Sequence, residues 1–289
     1  MKPQSVGRIR VEKLVEYEEG FDPTRAFPDY DPSVTQENRS WLAPHFVDYA
    51  AGTLSFSFHS FVVRTARHTI LIDTCVGNDK PRPLPQWHMQ KRPYLENLAK
   101  LGLKPGDIDY VMCTHLHGDH VGWNTRLEQG RWVPTFPKAR YVFSKADYDH
   151  YNALKPGEQG YDSIADSVRP IVEAGQAAIV GYDFALDDDV SLYPTPGHTP
   201  GHYCVHLTSD GRQGMMTGDM MHHPIQVQRP EWSSNFCRDP NHSRRTRRKF
   251  VHDHADRDVV IFAAHFAGAT AGRIVSRGDR CQFHVLGGA

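Results

Sequence analysis

The segment Thr114-His115-Leu116-His117-Gly118-Asp119-His120 places three imidazoles and one carboxylate within six consecutive positions. It directly follows Ile108-Asp109-Tyr110-Val111-Met112-Cys113, an apolar run with the length and composition of a buried strand. The chain must therefore end a sheet strand in a short loop whose alternate side chains aim at one point. His115 and His117 point together, and Asp119 and His120 reach the same point from the other side of the turn. Imidazole and carboxylate are donors that suit zinc, iron or manganese rather than calcium. The spacing predicts a metal site.

The same grammar, a buried strand ending in His or Asp, recurs along the chain. Thr195-Pro196-Gly197-His198-Thr199-Pro200-Gly201-His202 is a turn-rich loop before the strand Tyr203-Cys204-Val205-His206-Leu207. Gly214-Met215-Met216-Thr217-Gly218-Asp219 is an apolar segment ending in a carboxylate, and Val259-Val260-Ile261-Phe262-Ala263-Ala264-His265 is an apolar strand ending in a histidine. His68-Thr69-Ile70-Leu71-Ile72-Asp73-Thr74 closes on Asp73, which is placed either to hydrogen-bond the metal loop from beneath or to cap the next turn. Ligands at strand ends of one sheet converge at one edge, as sites in open α/β architectures do.

The 289 residues, 39% hydrophobic and 23% charged with a formal net charge of -1, predict a soluble globular protein, read as a single domain over residues 1–289 with residues 1–45 as an arm packed on it. That balance gives no electrostatic reason to expect nucleic acid or an anionic membrane as partner. The first residues lack the apolar core of a signal peptide, and no run approaches transmembrane length. Cys75, Cys113, Cys204, Cys237 and Cys281 are unpatterned, which suggests reduced thiols and a cytoplasmic setting. Period and breakers predict strands at 54–58, 60–64, 140–144, 178–182 and 190–194, and helices at 94–101, 145–154 and 161–174. A further helix over 241–254 carries Arg244, Arg245, Arg247, Arg248 and Lys249, which read as a solvated basic face.

Taken together, Thr114 to His120, Pro196-Gly197-His198-Thr199-Pro200-Gly201-His202, Thr217-Gly218-Asp219 and Ala264-His265 resemble the ordered motifs of the metallo-β-lactamase fold superfamily. The resemblance covers residues 53–270 and implies an α/β fold: an αββα sandwich of two mixed β-sheets flanked by helices, with a dinuclear metal site at one edge. Carried over position by position, it implies His115, His117 and His198 on a first metal and Asp119, His120 and His265 on a second. Asp219 is implied as the bridging carboxylate, and His202 as part of the scaffold turn. The implied cofactors are two divalent ions, zinc by default, with iron, manganese or cobalt suited to the same donors. Such a pair activates a hydroxide at neutral pH, and Asp119 is the implied proton relay. No Gly-x-Ser-x-Gly elbow is present to suggest a serine nucleophile.

Within the superfamily, Asp219 argues against a dedicated β-lactamase, and the layout looks most like the lactonase and organophosphorus-hydrolase branch. The expected activity is hydrolysis of a lactone or ester. Phosphotriester hydrolysis or promiscuous β-lactamase activity is the alternative on the same site, and a mononuclear iron dioxygenase of the same fold is the alternative of another class. Quorum-quenching lactonases carry a tyrosine three positions after the bridging aspartate. This chain has His222 there, which puts acyl-homoserine lactone in doubt as native substrate. Trp87, Trp123, His222, Trp232, Phe236 and Phe266 are the candidate substrate contacts, Asp119 and His222 the candidate catalytic residues. The expected partner is a small molecule, and the resemblance suggests a homodimer.

Overall fold

The structure is a computed structural model that describes residues 2–287. It comprises two compact units interleaved along the chain. The central unit is Arg8–Tyr17 with Phe58–Phe184; the flanking unit is Met1–Gly7, Glu18–Ser57 and Ala185–Ala289. No helix among the described residues is long and apolar enough to cross a membrane.

In the central unit, one mixed sheet runs in the order Ile9–Phe21, Thr53–Arg64, Thr69–Ile72, Tyr110–Met112, Arg140–Ser144 and Ala177–Val180, the first two strands contributing their parts within this unit. Val62, Leu71, Val111 and Tyr141 stand opposite one another on successive strands and form one buried row. Leu98, Tyr151 and Ile164 of the covering helices pack against that row. Thr69–Ile72, Tyr110–Met112 and Arg140–Ser144 are parallel, so Asp73 and Thr114 leave the sheet at the same edge. That parallel pairing brings the carboxylate under the histidine loop.

The helix expected over 161–174 is two helices, Tyr161–Ser167 and Arg169–Glu173. The break has a backbone cause. Pro170 has no N–H to donate to the Asp166 carbonyl, and its ring crowds that carbonyl. The released oxygen instead accepts from Lys80 Nζ at 3.3 Å and from Thr125 Oγ1. The hairpin Thr125–Glu128 with Arg131–Pro134 was not foreseen from the sequence.

The flanking unit carries a six-stranded sheet in the order Val190–Pro194, Tyr203–Ser209, Arg212–Met216, Val259–Phe262, Ala271–Arg277 and Arg280–Val285. Arg212–Met216 and Val259–Phe262 are parallel, with Met216 opposite Phe262, so the segments leading to Asp219 and His265 leave the sheet at one edge. The strand expected to run through His265 stops at Phe262. His265 has a φ of 60° and begins a two-residue strand, His265–Phe266, paired with Ser57 and Phe56.

Residues 1–45, read as a packed arm, contain substantial regular structure. Ile9–Phe21 is a strand of 13 residues. Its period was masked by charge, because Glu12, Lys13 and Glu16 are themselves buried. Glu12 is neutralised by Arg10 and Arg64, each at 2.9 Å.

Candidate metal centre

In the central unit, the loop after Tyr110–Met112 brings His115, His117, Asp119 and His120 together. The His115 ring lies 4.6 Å from that of His117 and 4.0 Å from that of His120, centroid to centroid. Neutral imidazole is the form that ligates metals. Asp73 organises the loop. It accepts from the Thr114 amide at 2.7 Å and the Thr114 hydroxyl at 2.9 Å, and it holds His120 Nδ1 at 2.9 Å. Thr114 Oγ1 meets His115 Nδ1 at 3.1 Å. Holding Nδ1 directs Nε2 outward as a donor, and the His120 Nε2 lies 3.6 Å from Asp119 Oδ2. Of the two placements open for Asp73, hydrogen-bonding the histidine loop is the one the structure shows.

In the flanking unit, Asp219 is the focus of three imidazoles. His198 Nε2 lies 3.3 Å from its Oδ2, His222 Nε2 lies 3.2 Å from the same oxygen, and His265 Nε2 lies 3.0 Å from Oδ1. All four side chains are buried. The two oxygens of one carboxylate are thus addressed by different histidines. Buried imidazole and carboxylate groups gathered this closely are a donor set that fits a divalent ion.

His202 has another task. The Asp219 amide donates to its Nε2 at 3.0 Å, which places the ring proton on Nδ1, 2.8 Å from Thr195 Oγ1. Both ring nitrogens are thus committed to the scaffold, as the sequence motif implied. His198 reaches Cys237 Sγ through Nδ1 at 3.6 Å. Burial works against charge on both partners, but the hydrogen bond to Asp219 and then the Cys237 contact outweigh it for His198 and raise the imidazole, while the His198 contact with the Ser234 and Ser243 bonds lowers the thiol.

Comparison with known families settles what this arrangement belongs to. The model of the metallo-beta-lactamase superfamily matches residues 58–265, more than half of the chain. The chain belongs to the metallo-beta-lactamase superfamily. It is similar to an N-acyl homoserine lactonase of Bacillus sp., 25% identical over 163 residues that cover 52% of this chain and 58% of that protein. Against the Bacillus cereus N-acyl homoserine lactonase the identity is 27% over 113 residues, 39% of this chain and 38% of the relative. The chain thus spans less than two thirds of either lactonase. A probable metallo-hydrolase of Mycobacterium bovis is 23% identical over 229 residues, covering 72% and 74%. Among solved structures, the fold matches the dizinc quorum-quenching lactonase AidC with a TM-score of 0.82 at 19% identity, covering 100% and 98% of the two chains. It also matches the hydrolase AbOPH with a TM-score of 0.81 at 23% identity, covering 99% and 97%. The mixed α/β metallo-β-lactamase fold read from the motifs is thereby shown.

The aromatic candidates of this superfamily member separate by burial. Trp123 and Phe266 are packed into cores: Trp123 is in the central core, stacked on Tyr94 at 5.1 Å, and Phe266 is fully buried between Phe46 and Phe283. Trp232 is buried beside Phe27 and Tyr30. Phe236 is 41% exposed and sits 5.8 Å from the His222 ring, while Trp87 is half-buried against Phe58 and donates to Tyr17 at 2.8 Å.

Two supporting residues escaped the sequence reading. Glu16, deeply buried, accepts from the amides of Val76 and Gly77 at 3.0 and 3.1 Å and from Trp123 Nε1 at 2.7 Å. Burial pushes its carboxyl pKa up. It ties the segment after Asp73 to the segment after His120 where the two backbones nearly touch, since a Cβ on Gly122 would sit 1.8 Å from the Val76 carbonyl oxygen. Arg247 is the second and a correction: it is fully buried, not part of a solvated basic face.

Proposed function

We propose that this chain is a dinuclear metal-dependent hydrolase that cleaves a lactone or ester bond. In this reading His115, His117 and His198 serve one ion, Asp119, His120 and His265 the other, and Asp219 belongs to both sets. The observation that carries it is the Asp219 carboxylate, with His198 on one oxygen and His265 on the other. Zinc is the proposed ion. When bound, such a pair supplies water acidified into a nucleophile at neutral pH and polarises the oxygen of the scissile group.

The chain's own residues do the rest. Asp119 takes up a proton at its carboxylate as the nucleophile attacks and returns it to the leaving oxygen. His222 donates through Nε2 to Asp219 and lies parallel to the His265 ring at 5.8 Å. Burial, reinforced by the neighbouring His198 and His265, brings its pKa down to about 3 despite Asp219, so it acts as a neutral donor. Phe236, beside it, and Trp87 are the proposed apolar contacts for an uncharged substrate.

The test is elemental analysis of the purified protein, then assay against lactones, aryl esters, phosphotriesters and β-lactams. The reading expects turnover of lactones or esters that a chelator abolishes and added metal restores. Turnover of phosphotriesters or β-lactams alone would reassign the substrate. Bound iron with oxygen uptake and no hydrolysis would overturn the reading.

A further inference from the structure

His198 faces Asp219 through Nε2, so its other nitrogen needs a partner inside the protein. The partner is sulfur: Cys237 Sγ lies 3.6 Å from Nδ1, and it is held in turn 3.4 Å from Ser234 Oγ and 3.3 Å from Ser243 Oγ. Cys237 is itself buried.

A buried arginine fixes this cluster. Arg247 donates from Nε to the Pro230 carbonyl at 3.0 Å. Its Nη1 reaches the Met220 carbonyl at 2.8 Å and Ser243 Oγ at 3.2 Å, and its Nη2 reaches the Trp232 carbonyl at 2.7 Å and Ser233 Oγ at 3.1 Å. All five N–H groups are used, and none goes to a carboxylate. A single arm, Nη1, grips both the carbonyl of the residue after Asp219 and the serine beside Cys237. The turn bearing His198 is pressed onto the same helix. The amides of Arg238 and Asp239 donate to the His198 and Gly197 carbonyls at 2.8 and 3.0 Å, and a Cβ on Gly197 would lie 2.4 Å from the Ser243 amide nitrogen. Arg247 thus ties His198 and Asp219 to one support.

We propose that Cys237 is the positioning residue of His198, accepting the Nδ1 hydrogen so that Nε2 is presented to the metal, with Arg247 and Ser243 fixing the sulfur in place. The proposal rests on His198 being a ligand, as the proposed function has it. An outer hydrogen-bond partner of this kind commonly governs metal affinity by about 10–100-fold.

The test compares the wild type with Cys237→Ala and Cys237→Ser. Metal affinity is read by competition with a chromogenic chelator, and ligand geometry by the visible spectrum of the cobalt-substituted protein. Cys237→Ala is expected to weaken binding by about 10-fold or more and to shift the cobalt bands. Cys237→Ser, which keeps an acceptor on a shorter arm, should recover part of the affinity. Wild-type affinity and spectrum in Cys237→Ala would overturn the proposal, even if the melting temperature fell, because a purely packing role predicts that result. Should Cys237→Ala not fold, Cys237→Ser decides: a weakened site with shifted bands supports the proposal, and an unchanged one overturns it. A wild type that binds metal but hydrolyses none of the substrates defeats only the proposed function. A wild type that binds no metal defeats both.

Discussion

The two units support their candidate metal donors by different chemistry. In the central unit the support is anionic: Asp73 holds Thr114 and His120, Glu16 ties the neighbouring segments, and Asp166 pairs with the buried cations Lys80 and Arg82. In the flanking unit the support is largely neutral: a thiol, three serine hydroxyls and backbone carbonyls surround Arg247 and His198. Bonds to a carboxylate and bonds from a guanidinium are both charge-assisted, so the two shells differ in which partner carries the charge. Neutral acceptors spread a cation's charge over several weaker contacts, and their loss is felt through the whole shell.

The largest expected effect comes from the donors themselves. His120→Ala, from the central set, and His198→Ala, from the flanking set, are each expected to drop hydrolysis to background while circular dichroism stays native. Full activity in either variant would remove that residue from the metal centre. Next comes the anionic support. Asp73→Ala should weaken metal binding by about 10–100-fold, measured by chelator competition, because His120 loses its Nδ1 partner. An unchanged affinity would mean that the loop holds its shape without the carboxylate.

For the neutral support, Arg247→Met leaves the carbonyls of Met220, Pro230 and Trp232 without that donor. The Trp232 carbonyl keeps Gln226 Nε2 at 2.8 Å, and each of the other two left unpaired costs about 1–3 kcal/mol, so denaturant unfolding should show a loss of about 2 kcal/mol or more. A loss below about 1 kcal/mol would show that the carbonyls find other partners.

The smallest effect is a pH dependence in the central unit. Burial lowers the Lys80 ammonium from its usual 10.5 to about 7, against the pull of Asp166. Between those values the unfolded chain binds more protons than the folded one, so this residue makes stability rise with pH across that window. Lys80→Met should flatten the rise, as read from denaturation midpoints at pH 7 and 9. The same slope in both proteins would assign it to other groups.

The contrast also explains what could be read in advance. His115, His117, Asp119 and His120 are legible because one short loop carries them, and His198, Asp219 and His265 because each ends or flanks an apolar strand. Asp73 follows the same rule. Glu16 does not, since a charged residue on a charged strand gives no sign of burial until the loops that close over it are known. Arg247 did leave a trace: Ser243, Arg247, Phe250 and Val251 share one stripe of the helix Pro240–His254, so helical period alone places it on the buried face. Five basic residues in sequence hid that period. Cys237 looked like any unpaired thiol, and only the approach of its sulfur to His198 gives it a role. Trp123 and Phe266 mislead in the other direction, because an aromatic beside a ligand satisfies a core as readily as a substrate wall.

The central claim is that the two donor sets hold two ions through Asp219. Metal content per chain, measured by elemental analysis on the wild type and on Asp219→Ala after equal dialysis, tests it most directly. The account predicts two divalent ions per wild-type chain and one or fewer in the variant. One or no ion in the wild type, or two in Asp219→Ala, would contradict it.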